Sequence, residues 1–327
     1  VIGYFKDRNS FQVPALLFLA LILKITYVNN PHHDAFNNAG GILPNWLATA
    51  VFPKIHQGFV AGFAVTVIFL SALYANYLLT SRRMFSRSNL LVGASMIMFT
   101  SLFPSSNQFS ATTLLLPFLI LFFQQITRLY NATKVRPIIL NIGMLMGAGY
   151  LLYHPFIWML PCCFIGLAGM RAFRITEWLL LILGIVTPAY FLLSYEFLTD
   201  QWHPLLHVPN WKLYTQLPKP SILWWIAAGT AAVWLLAGLA GWQQQTRRML
   251  IQGRKNWYQL IYIGLFLVPM ALFPSGNASE TMTLLAFPAA SLAANAFASQ
   301  QKSLGPVVLF WLIIAAIIVT GWMFNHA

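Results

Sequence analysis

Two acids from opposite ends of the chain stand in polar clusters that could do chemistry. Asp34 lies in "NNPHHDAFNN" (29–38), directly after the first apolar run. With His32 and His33 beside it, Asp34 reads as a metal ligand, as a base or binder, or as part of a solvated turn. Adjacent histidines in an extended loop point in different directions, which weighs against a metal held by both rings; no metal and no cofactor is expected. Glu280 closes "LFPSGNASE" (272–280), with Asn277 three residues before it. An acid at the head of a helix is stabilised by the positive end of the helix dipole, so Glu280 reads either as a working carboxylate or as a plain helix-start charge. Three cationic or titratable residues accompany the acids: Lys24 inside the first apolar run, and Lys54 and His56 just before the second. Ionisable groups at membrane depth are costly and are functional candidates by default.

The stretch around Glu280 has a counterpart. "LFPSSNQFS" (102–110) repeats Leu-Phe-Pro-Ser-x-Asn and places Asn107 where the later copy has Asn277. Proline biases the preceding residue away from helix, so Phe103 and Phe273 should end their helices. Ser105, Asn107 or Ser110, and Ser275, Asn277 or Ser279, can cap the next helix by accepting its free N–H groups. "TTLLLPF" (112–118) and "MTLLAFP" (282–288) follow the two copies. A parallel duplication and the reuse of a good helix-turn-helix both explain the pair.

The elements that must position these residues are membrane helices. Of 327 residues 59% are hydrophobic and 8% charged, against roughly 25% charged in a soluble domain. Apolar runs near the length of about 20 residues that a spanning helix needs recur along the chain. Eleven spans are expected: 11–28, 58–80, 90–104, 109–127, 137–152, 156–170, 177–195, 221–242, 257–273, 281–298 and 304–324. The fold class is therefore an all-α polytopic transmembrane bundle forming one integral membrane domain over 1–327, with outer loops at 29–57 and 196–220. The opening run carries Lys6 and Arg8 before an apolar core, like a signal peptide, but lacks a small-x-small cleavage site and is expected to stay as the first span. The runs 137–152 and 156–170 are expected to form a helical pair turning at His154. Cys162 and Cys163 are adjacent in an apolar run and are expected only to pack.

The formal charge is +13. Its carriers sit in short loops, which argues for membrane orientation and contact with anionic lipid and against nucleic acid. With the N-terminus in the cytoplasm, 15 of the 19 Lys and Arg residues fall on inner loops. All seven histidines and four acids (Asp34, Glu196, Asp200 and Glu280) fall on the outer side. The expected location is a bacterial inner membrane with the working face outside.

These features resemble the GT-C class of membrane glycosyltransferases. The likeness rests on Lys24 within span one, Asp34 early in the first outer loop, the paired segment "LLYHPFIWMLP" (151–161) and the late hairpin "FPSGNASETMTLLAFPAASLAANA" (273–296). The chain is also similar to an uncharacterised polytopic inner-membrane family of Gram-negative bacteria, which has a like Phe-Pro-Ser hairpin and a late Asn-x-Ser-Glu. The GT-C resemblance implies sugar transfer from a polyprenyl-phosphate carrier on the extracytoplasmic face. Asp34 would then be the acceptor-side base or binder, Lys54, His56 and Lys24 would hold the carrier phosphate, and Glu280 and Asn277 would line the cavity with Asn107. The chain departs from the pattern by having His32 and His33 where a double acid is usual, and no acid in "PSSNQFSATT". Two other readings follow from the same residues: a non-catalytic scaffold or subunit of an envelope assembly or secretion complex, with other envelope proteins as partners, and a transporter of lipid or small solute.

Overall fold

The computed structural model describes residues 5, 11–29, 57–85, 89–107, 109–130, 132–199, 222–246, 249–272, 278–298 and 304–326. Among them every regular element is helical. Eleven α-helices lie on the eleven apolar runs: α1 Gln12–Asn29, α2 Gln57–Ser81, α3 Leu91–Leu102, α4 Ala111–Arg128, α5 Arg136–Leu152, α6 Leu160–Met170, α7 Ile175–Leu198, α8 Ile222–Thr246, α9 Ile251–Leu272, α10 Ala278–Ala293 and α11 Gly305–His326. Six stretches are long and apolar enough to cross a membrane, within α2, α4, α7, α8, α10 with its extension to Ala298, and α11. The chain is by that measure a multi-pass membrane protein.

Local chemistry sets the helix ends. Phe103, before Pro104, is extended (φ −105°, ψ 107°) and stops α3, as the pre-proline restriction requires. Residues Pro104–Asn107 make a 3₁₀ turn. Of the three capping candidates there, Ser110 takes the role: it is the N-cap of α4 and its hydroxyl accepts from Thr113 N–H at 3.4 Å. In the second copy α9 ends at Leu272 and α10 starts at Ala278. Glu280 thus falls in the first turn of α10, as expected of a helix-start acid.

Packing sorts the helices into an inner and an outer set. All twelve residues of α3 are buried, which accounts for its length: about 18 Å of helix need not reach both membrane surfaces when neighbours cover it. The span windows of α4 and α10 are 61% and 67% buried, against 11% for α7. Exposed Phe18, Phe59, Leu70, Phe191, Leu236 and Trp311 put large apolar side chains on the outside of α1, α2, α7, α8 and α11, where lipid tails would meet them.

Glycines record how the helices run. Gly93 lies against Leu16 and Ala72, while Lys24 reaches Thr100 and Asn107, so α1 and α3 are parallel. A Cβ on Gly143 would meet the Leu181 carbonyl at 2.5 Å, and one on Gly184 the Leu140 carbonyl at 2.6 Å. Together with Gly147 against Ile185, these contacts make α5 and α7 a parallel pair with touching backbones, the small-xxx-small packing of membrane helices. This is the most extensive helix pair in the bundle. α5 also touches the segment after His154, as expected of 137–152 and 156–170, but its larger partner is α7, which the sequence reading did not name. The turn between α5 and α6 is a 3₁₀ segment, His154–Met159, with His154 buried and its ring 5.2 Å from Tyr150.

Cations gather at one end. Trp257, near the start of α9, donates its indole N–H to the Met84 carbonyl at 3.2 Å. Lys255 donates to the Gly169 carbonyl at 3.5 Å and lies 5.1 Å over the Tyr130 ring. Burial, and then the neighbouring Arg128, lowers the Arg82 pKa from its ordinary value, which places the ends of α2 and α4 together. The turn Pro104–Asn107 lies away from this basic end, among α1, α2, α3, α10 and α11.

Candidate functional site

Lys24 is the centre of the candidate site. It sits in the upper half of α1, is 1% exposed, and sends its ammonium across to the first hairpin. The Nζ donates to Thr100 Oγ1 at 3.1 Å and to Asn107 Oδ1. Both acceptors are neutral, and the ammonium has three donors. Among the described residues no carboxylate pairs with Lys24; the one ion pair there joins Arg171 to Glu177 at the basic end. An uncompensated lysine at the centre of a membrane helix costs about 3 kcal/mol on insertion scales. A fold that keeps one in a buried place holds it there against that cost.

Each partner arrives by a local cause. Thr100 is one turn before the proline stop and also donates back to the Met96 and Ile97 carbonyls, so its oxygen is oriented toward α1 by its own helix. Asn107 ends the 3₁₀ turn, and its amide N–H donates to the Phe103 carbonyl at 3.4 Å, leaving the amide oxygen for Lys24. The proline that ends α3 is thus what turns Asn107 inward. Asn107 is 2% exposed, because α3 is short and the neighbouring helices enclose the turn.

Buried hydroxyls with no hydrogen-bond partner among the described residues occur at Ser106 in the turn and at Thr281 and Thr283 in the first turns of α10, the helix that packs on that turn. Ser291, deeper in α10, returns its hydroxyl to the Phe287 carbonyl. Thr281 and Thr283 make no such bond among the described residues. A helix start is rich in N–H donors, and α10 packs on the turn Pro104–Asn107. Ammonium, hydroxyls and helix start make a donor-rich region, suited to anionic oxygen.

Of the residues singled out in the sequence, Lys24 and Asn107 are brought into direct contact. Glu280 enters at the first turn of α10, which packs on the same 3₁₀ turn. Asp34, Lys54, His56 and Asn277 lie outside the described residues, as do most of the loops 29–57 and 196–220. Thr100 was missed by sequence reading; its signal was a hydroxyl seven residues before Asn107, on the parallel neighbour of a lysine that needs acceptors. Cys162 and Cys163 are buried and free, and no group of metal-ligating side chains occurs among the described residues.

The chain belongs to the family of unknown function DUF6427, which matches residues 41–326. That stretch holds both proline hairpins and begins after α1. No curated protein and no solved structure matches the chain.

Proposed function

We propose that this DUF6427 member is a bacterial inner-membrane protein of eleven spans that handles a lipid-linked saccharide on its extracytoplasmic face, transferring the sugar from a polyprenyl-phosphate carrier. The observation that carries the reading is Lys24, a buried ammonium whose acceptors among the described residues are both neutral, on the turn against which the start of α10 and its hydroxyls pack. A phosphate diester or pyrophosphate would supply the missing negative charge. The threading is supported by the gathering of cations at the end opposite Lys24 and by the parallel pairs α1 and α3, α5 and α7, and α8 and α10 (Gly238 lies against Leu292 and Gly241 against Asn295, just past the end of α10), each two spans apart. The resemblance to GT-C enzymes supports the same face. In that reading Asp34, ten residues after Lys24, activates the acceptor, Glu280 and Asn277 line the cavity, and Lys54 and His56 meet the carrier at its lipid-side mouth.

A second reading, a non-catalytic envelope subunit, is favoured by the closure around Lys24: at 1% exposure, with Asn107 and Thr100 on it, the ammonium has a third donor but little open surface through which a ligand could reach it. Lipids carried through purification of the full chain in mild detergent separate the two. Mass spectrometry should find a polyprenyl phosphate or pyrophosphate with the native protein and several-fold less with Lys24→Met. Absence of such lipid from both leaves the subunit reading.

A further inference from the structure

We propose that a second site, at the basic end, binds the phosphate of an anionic phospholipid. It lies between the starts of α5 and α7 and is independent of the Lys24 reading. A cavity of about 390 Å³ opens there, and Lys134, Arg136, Arg171 and Arg174 all line it. The one carboxylate in its wall is Glu177, which is buried and engages Arg171 at 3.3 Å. Four cations less one carboxylate leave three formal positive charges on one cleft.

The backbone adds to this field. Val135 and Arg174 stand at the N-cap positions of α5 and α7, and neither supplies a side-chain cap. The first turns of both helices therefore keep unsatisfied N–H groups. The Gly143, Gly147 and Gly184 seam holds the two helices parallel and in backbone contact, so their positive ends stand side by side. Two helix starts and four cations converging on one cavity make an anion site, whereas an orienting charge bias requires only that cations lie somewhere in the loops.

The apolar surroundings select the source of the phosphate. Phe173 is 71% and Ile175 66% exposed, flanking Arg174 on both sides, and exposed Leu179 and Leu183 continue up α7 from the cleft. A ligand with a phosphate at one end and acyl chains at the other matches cations below and an apolar face above. A free phosphate would leave that face unused.

The test uses the full chain in nonionic detergent, with native mass spectrometry reading bound lipid during titration with dioleoylphosphatidylglycerol, dioleoylphosphatidylcholine or inorganic phosphate. The glycerol lipid should bind in preference to the choline lipid. Arg136→Gln and Arg174→Gln should each weaken it about fivefold, the value of one cation near an anionic headgroup. Arg174→Lys should stay within about twofold, since charge and not fork geometry is at issue, and Arg254→Gln, exposed at the same end but off the cleft, should change nothing. Each result is taken as the ratio of the two lipids on one sample, so partial misfolding does not imitate it. Equal binding of the two lipids, an equal loss with Arg254→Gln, or no loss with either cleft variant overturns the site. Displacement of the lipid by an equal concentration of inorganic phosphate overturns the lipid assignment.

Discussion

The two cationic regions solve the same problem in opposite ways. At the basic end, Lys134, Arg136 and Arg174 keep their charges in the open, and Glu177, the one buried acid there among the described residues, has a guanidinium beside it. At the other end Lys24 is enclosed and, among the described residues, has only an amide oxygen and a hydroxyl. Exposed charges of the first kind are cheap and replaceable, and they follow from the need to orient the chain. A buried charge of the second kind is expensive, and no orienting rule calls for it. The cost therefore points to a use.

The sharpest break between the ends is one of side. If they lie on opposite membrane faces as proposed, Lys54→Cys should react with an impermeant thiol reagent in intact spheroplasts and Arg254→Cys only after lysis. Cys162 and Cys163 are buried and give little background. The reverse pattern would turn the molecule over and remove the extracytoplasmic reading.

Stability should divide the regions next. Lys24→Ala opens a cavity and strips Asn107 Oδ1 of its donor, and should cost about 4 kcal/mol. Lys24→Met with Asn107→Leu replaces both partners by apolar groups of similar size and should come within about 1 kcal/mol of the native protein, or exceed it. A protein that gains stability while losing lipid binding would mark Lys24 as kept for use. Denaturation of the full chain in mixed micelles measures both.

The smallest effect belongs to the ion pair. Arg171 is 22% and Glu177 9% exposed at the side chain, so Glu177→Gln, which keeps an acceptor beside the guanidinium, should cost about 2 kcal/mol. It should also tighten the anionic lipid, because the cleft loses its only carboxylate. A cost as large as that of Lys24→Ala would erase the distinction drawn between the two ends.

The helix positions were legible in the sequence because apolar runs, prolines and caps act locally. Pro104 and Ser110 each do in the structure what their chemistry dictates. The choice of partners was not legible. "GMLMG" (143–147) announces a close approach but does not name α7 as the helix that makes it. The burial of Asn107 was hidden for a related reason: a twelve-residue apolar run reads the same whether it is a tilted span or a helix enclosed on all sides. The convergence of Arg136 and Arg174 follows from the parallel pairing of α5 and α7, and so could not precede it. Lys24 was visible as an interior charge, but the identity of its acceptors depended on α1 and α3 running the same way, which no local pattern records.

The central claim is that Lys24 awaits a lipid-borne phosphate. Its most direct test is the melting temperature of the full chain in detergent with and without farnesyl phosphate, a short-chain carrier analogue. At about a hundredfold excess over Kd, a ligand bound only by the folded state adds about 2.7 kcal/mol. The account predicts a rise of several degrees in the native protein and none in Lys24→Met, with farnesol inactive on both. An equal rise in both proteins, or none in either, would contradict it.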